Sequence, residues 1–256
     1  MIHWLRELDR VLRGDAVRPG APGTEAFAVS AARLAGVSLL LGVAYGACMG
    51  VYALCDRASP EPRQLVADMA KVPALFLLTL AVTFPSLYVF NVLVGARLSL
   101  ADLTRLMASS LAVLLAVLAG FGPVVAFFSV TTASYPFLLL LNVAVFTAAG
   151  AFGMAFLFRT LRRLEGLLSA PELAPAPEGP TEAATEPVPV VPEAGRAARG
   201  RAVFACWVTV FALVGGQMSW VLRPFLGSPD REFTWLRPRE SSFFEAVARA
   251  LRNLLS

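Results

Sequence analysis

Histidine, lysine and cysteine are nearly missing from this chain: among 256 residues stand one histidine (His3), one lysine (Lys71) and three cysteines, Cys48, Cys55 and Cys206. A lone histidine cannot build a histidine-based metal site or serve as base to Ser86, Ser129 or Ser219. The cysteines have no metal-like spacing and read as small apolar packers. Charge is scarce too, at 16% of residues against about 25% in an ordinary soluble domain. What charge there is lies between long apolar runs, whose middles hold no Asp, Glu or Lys. That weighs against a proton pump or an ion-coupled carrier. The glycine-rich stretches lack the lysine and following hydroxyl of a phosphate loop. From these absences we expect no enzyme, no cofactor and no metal site.

Hydrophobic residues make up 57% of the chain. They gather in five runs, about 30–55, 72–95, 106–130, 134–158 and 199–222, each near the roughly 20 residues that cross a bilayer. The fold class expected is an all-α, polytopic membrane helix bundle of five transmembrane helices, with amphipathic interfacial helices at both ends. The segments are an N-terminal amphipathic segment at 1–29, a four-helix bundle at 30–168, a Pro/Ala/Glu-rich disordered linker at 169–198, the fifth span, and an aromatic and arginine-rich tail at 223–256. Residues 1–14 carry Ile2, Leu5, Leu8 and Leu12 on one face, with Trp4 beside them. A charged helix ahead of the first apolar run does not read as a secretory signal.

The 22 basic residues, all arginine apart from Lys71, flank the apolar runs. That pattern orients a membrane protein and speaks against a nucleic-acid partner, which would need a basic face on a soluble module. With the N-terminus inside, thirteen arginines fall on the inner side and nine basic residues outside, six of them in the tail. The early loops count for more, so the N-terminus is expected in the cytoplasm.

Several features inside the runs bear on packing. Gly42, Gly46 and Gly50 form a ladder that lets a second helix approach closely. Pro73 is expected in a first turn, where it costs no hydrogen bond. Pro85 and Pro123 fall mid-span and are expected to kink their helices, with Thr79, Thr83 and Ser86 available to freed carbonyls near Pro85. Ser99 is positioned to cap a helix carrying Asp102 in its first turn. The amides Asn91, Asn142 and Gln217 need partners in hydrocarbon, either on a neighbouring helix or along a polar path. Gly215 and Gly216 read as a close-packing pair ahead of a membrane-boundary group, Trp220 and Arg223. Trp4 and Trp235 are the other boundary anchors. In the tail, Phe243, Phe244, Val247, Leu251, Leu254 and Leu255 share one face of a last helix, expected flat on the bilayer or folded back over the bundle.

The runs 71–80 (KVPALFLLTL), 83–91 (TFPSLYVFN) and 217–229 (QMSWVLRPFLGSP) resemble a family of uncharacterised bacterial multi-pass membrane proteins. Five spans after an N-terminal cytoplasmic region also resemble Yip1-type membrane proteins, a resemblance that implies membrane organisation or trafficking. Two functional readings stand. One is a non-enzymatic scaffold or membrane-organising protein of the bacterial inner membrane, whose partners are the lipid bilayer and a second copy or another membrane protein. The other is a channel or carrier for a neutral or anionic solute, lined by Asn91, Asn142 and Gln217, with Pro85 and Pro123 breaking helices around the path and Arg223 at a mouth.

Overall fold

Seven helices and no strand occur among the described residues, which in this computed structural model are 2–13, 30–55, 61–93, 99–132, 134–168, 193–223, 225, 233–236 and 243–255. They are α1 (Ile2–Arg13), α2 (Ala31–Cys55), α3 (Pro62–Leu93), α4 (Leu100–Thr131), α5 (Tyr135–Leu168), α6 (Glu193–Val221) and α7 (Phe243–Leu255). Each of α2 to α6 contains a stretch long and apolar enough to cross a membrane. Their outer surface carries large apolar side chains, among them Val82, Phe127, Val130 and Phe152, all more than half exposed. Such a surface is stable in lipid and not in water. The chain is an all-α bundle of a multi-pass membrane protein.

The elements follow from local chemistry. Ser99 caps α4: its hydroxyl accepts the Asp102 N–H at 3.1 Å and donates to the Asp102 carboxylate at 2.6 Å. Helix α4 ends at Thr131 and α5 begins at Tyr135, and the two pack against each other as an antiparallel pair. A Cβ on Gly153 of α5 would lie 2.9 Å from the Leu114 Cβ of α4, a measure of how closely they meet. The glycine ladder of α2 faces α3. A Cβ on Gly42 would sit 2.9 Å from that of Pro73, and one on Gly50 would sit 2.8 Å from the Leu65 Cα. At Gly46 it would collide with the Asp68 carbonyl. Helix α6 runs antiparallel to α3, since Trp207, Gly215 and Phe225 meet Thr83, Thr79 and Gln64 in turn.

The apolar core is continuous from α1 to α6. At the end where α2 begins, Leu8 and Val11 of α1 join Leu34, Leu103, Leu106, Leu161, Phe204 and Trp207. Towards the other end, Tyr45, Met49, Phe76, Leu115, Leu118 and Leu138 fill the interior.

Four sequence expectations change. Helix α3 starts at Pro62, ten residues before the expected span, because its polar first turns are buried against α2 and belong to the bundle. Pro73 is therefore a helix-interior proline. The inward face of α1 is set by Leu8 and Val11, whereas Leu12 is 54% exposed. Helix α6 begins at Glu193, inside the stretch read as linker, while 169–192 lie outside the described residues. On α7, the inward residues are Phe243, Ala246, Val247 and Ala250, with Phe244 and Leu251 exposed on the flank. The helix folds back over α5 and α6. Leu254 and Leu255 have side chains outside the described residues.

Candidate functional site

Of the two amides whose side chains are described, Asn142 is in the interior and Gln217 is not. The Asn142 side chain on α5 is buried; its Oδ1 accepts the Tyr45 hydroxyl of α2 at 2.8 Å, and its Nδ2 donates to the Leu138 carbonyl at 2.9 Å. In hydrocarbon such a bond holds two helices together. Tyr45 is further held edge-on to Phe146, which stacks on Phe76. Gln217 is exposed on α6, turned away from the interior, and so does not meet Asn142. The Asn91 side chain lies outside the described residues. Pro85 and Pro123 both stand exposed within helices that continue through them. Being on the outer surface, they do not surround a central path. The hydroxyls of Thr79, Thr83 and Ser86 bond the carbonyls of Leu75, Thr79 and Thr83. None of those is the Ala81 carbonyl that Pro85 leaves without its usual donor.

The boundary group behaves differently from a close-packed corner. Cβ atoms on Gly215 and Gly216 would find ordinary contacts, 3.6 Å from Thr79 and 3.7 Å from Phe243. The pair leaves space instead of closing it. Beyond it the Arg223 guanidinium lies 4.0 Å from the centre of the Trp220 ring, a cation–π contact. Trp235 is exposed and packs edge-on to Phe233. The Trp4 side chain and Pro224 lie outside the described residues.

That space belongs to a cavity between the helices. It holds about 600 Å³ and lies between α5 and α6, with α3 and α4 behind it and α7 across it. A pocket of this size falls in the range of about 300–1,000 Å³ that takes small molecules. Its walls are apolar: Leu75, Phe76, Leu111, Leu139, Phe146, Met154, Trp207 and Phe211. Thr79, Ser110, Asn142, Thr147 and Ser219 contribute a few hydroxyl and amide groups, and Trp220, Arg223 and Phe225 stand at one end. Most of those hydroxyls already bond their own helix; Ser110, Thr147 and Ser219 reach the Leu106, Val143 and Gly216 carbonyls. The cavity offers apolar contact along its length and a cation at its end. Among the described residues no group of three His, Cys, Asp or Glu could hold a metal ion.

Three features escape a reading of the sequence. The Trp207 indole donates to the Thr83 carbonyl at 2.9 Å and so joins α6 to α3; one tryptophan within an apolar run gives no sign of this. Tyr45 is equally unmarked. Gln64, Asp68 and Lys71 are all buried at the start of α3. The Gln64 amide donates to Asp68 at 2.7 Å and reaches the Phe225 carbonyl at 3.4 Å. Their spacing of three and four residues is the available signal, since it puts all three on one helix face. Of the cysteines, Cys48 packs towards Gly122, while Cys55 and Cys206 are exposed on the outside. No known protein family, curated protein or solved structure matches this chain.

Proposed function

We propose that the chain is a non-enzymatic scaffold that organises the bacterial inner membrane and associates there with itself or with another membrane protein. The observation that carries this reading is α7. It has three faces: Phe243, Ala246, Val247 and Ala250 towards the bundle, Phe244 and Leu251 exposed beside them, and Glu245 and Arg249 paired at 3.5 Å on the polar side. A helix with an anchored face, a free apolar flank and a charged flank suits the bilayer interface. The amphipathic α1 at the other end of the chain, with exposed Arg6 and Arg10, supports the same reading. So does the likeness in span count to Yip1-type proteins.

The carrier reading keeps one observation in its favour, the position of Asn142 in the cavity wall. One experiment separates the two. The full chain is reconstituted into liposomes, and vesicle size, chemical cross-linking between copies and flux of neutral and anionic solutes are measured together. The scaffold reading expects cross-linked copies and altered vesicle size, both reduced when Phe244 and Leu251 are replaced by serine, with flux equal to protein-free vesicles. Solute flux that is lost in Asn142→Leu would replace it with the carrier reading.

A further inference from the structure

Helix α6 is the span least enclosed by the bundle. The apolar stretch within Ala202–Val221 is 11% buried, against 28% or more in each of the other four spans. The helix packs on α3 and, through Gly216 and Phe243, on α7, and it barely meets α5. At about 100° per residue, Phe204, Trp207 and Phe211 share its inward side. Ala202, Cys206, Thr209, Leu213 and Gln217 fall within about 80° of arc on the opposite side, and all five are exposed. This face is separate from the cavity, whose lining contains none of the five.

A helix face turned to lipid is ordinarily apolar, and Gln217 departs from that. It lies four residues, about 6 Å, inside the end of the span. Its amide has two N–H donors and a carbonyl acceptor, and among the described residues it makes no hydrogen bond. In hydrocarbon such a group costs free energy until it is paired. Thr209 on the same face is already provided for, since its hydroxyl donates to the Ala205 carbonyl of its own helix at 3.1 Å. Two arguments commit the missing partner of Gln217 to a second copy of the chain. A primary amide is complementary to itself, because each can donate to the carbonyl of the other. Copies inserted in one orientation are also parallel, so a two-fold axis along the membrane normal sets each residue of this face against itself at equal depth. Gln217 then meets Gln217 with no further requirement, whereas an unrelated helix must carry a polar group at that depth. None of the five residues is charged, so the axis opposes no like charges.

We propose that two copies of the chain pair through this face of α6 about a two-fold axis along the membrane normal, with their Gln217 amides hydrogen-bonded to each other. The proposal rests on the self-association in the scaffold reading and gives it a surface, separate from the exposed flank of α7.

Cys206 supplies the probe, because it lies on the same face about 16 Å along the helix from Gln217. The full chain with Cys48→Ala and Cys55→Ala keeps Cys206 as its single thiol. It is reconstituted into liposomes at low protein density and oxidised in air with copper–phenanthroline. Disulfide-linked pairs are read on a non-reducing gel, and copies per particle are counted by photobleaching of a terminal fluorophore. A control chain carries Cys206→Ala and Val82→Cys, which moves the thiol to the exposed outer face of α3. We expect pairs linked through Cys206 and none through the thiol at position 82. Gln217→Leu, with helicity unchanged, should weaken pairing by about tenfold, the effect of losing hydrogen bonds between helices in lipid. Gln217→Asn, which keeps the amide, should recover part of it. Unchanged pairing in Gln217→Leu overturns the proposal and would show that the amide reaches only the head groups. Equal cross-linking at positions 206 and 82 also overturns it, since chance collision then accounts for both. Pairs counted by photobleaching without a Cys206 disulfide overturn the α6 surface and leave the scaffold reading standing. Single copies throughout overturn the proposal together with self-association, leaving the scaffold reading another membrane protein as its partner.

Discussion

Gly46 and Gly120 are both helical glycines in membrane spans, and they should respond oppositely to the same substitution. A methyl group on Gly46 would run into the Asp68 carbonyl and lie 2.8 Å from the Met69 Cα, both backbone atoms that cannot turn aside. Gly46→Ala should therefore force α2 and α3 apart and cost about 1–3 kcal/mol, the usual penalty of overpacking. Gly120 has nothing within 4 Å of that position. Gly120→Ala should be neutral or stabilise by up to about 1 kcal/mol through helix propensity. Thermal unfolding in one detergent checks both, and equal midpoints for the two variants would refute the close approach. The Tyr45–Asn142 bond makes a second residue-scale prediction. Tyr45→Phe and Asn142→Leu should each destabilise, and a double-mutant cycle should give a coupling of about 1 kcal/mol, as interhelical hydrogen bonds in membranes do. A coupling near zero would mean that the amide finds its partners within its own helix.

At the scale of elements, α6 and α7 depend on contacts that are few and specific. Helix α6 meets α3 through the Trp207 indole and the Thr83 carbonyl. Trp207→Phe keeps an aromatic ring in the core and removes that donor. We expect amide hydrogen exchange to accelerate across α6 by about fivefold, corresponding to a net hydrogen bond of about 1 kcal/mol, with α2 and α4 unaffected. Uniform exchange in parent and variant would show that ring packing alone holds the helix. Helix α7 rests on small residues: Ala250 is 7% exposed and Ala246 lines the cavity. The face that α7 buries therefore differs from the one its sequence periodicity marks. Its large residues attract attention by periodicity, but Ala246 and Ala250 are on the inward face with Phe243 and Val247, and Phe244 and Leu251 are left on the flank. The glycine ladder of α2 was legible for the converse reason. Three small residues four apart admit one explanation in lipid, whereas one tryptophan or one tyrosine admits several.

The molecule as a whole shows how a hydropathy reading truncates a helix. All five spans were legible to within a few residues at one end or the other, because an apolar run of about 20 residues can do little else than cross a membrane. The start of α3 was not, since Arg63, Asp68 and Lys71 lower the hydropathy there, while burial is decided by which face they occupy. Asp68 is 0% and Lys71 4% exposed, one helical turn apart, with Gln64 donating to Asp68. Through Gln64 and the Phe225 carbonyl the same cluster reaches the segment that follows α6. Buried ionisable groups are stable only with compensating neighbours, and removing one strands the groups that it bonds, at about 1–3 kcal/mol. Lys71→Met should therefore cost that much. Asp68→Leu with Lys71→Met together should cost less than Lys71→Met alone, because no buried charge is then left over. If the two carboxylate and ammonium groups act independently of each other, the two losses will simply add, and unfolding of the three variants in mixed micelles distinguishes these outcomes. A further consequence tests the reach of the cluster: Gln64→Leu should loosen the chain beyond α6, raising amide hydrogen exchange at Phe225 while leaving the α2–α3 contact at Gly42 and Gly50 intact.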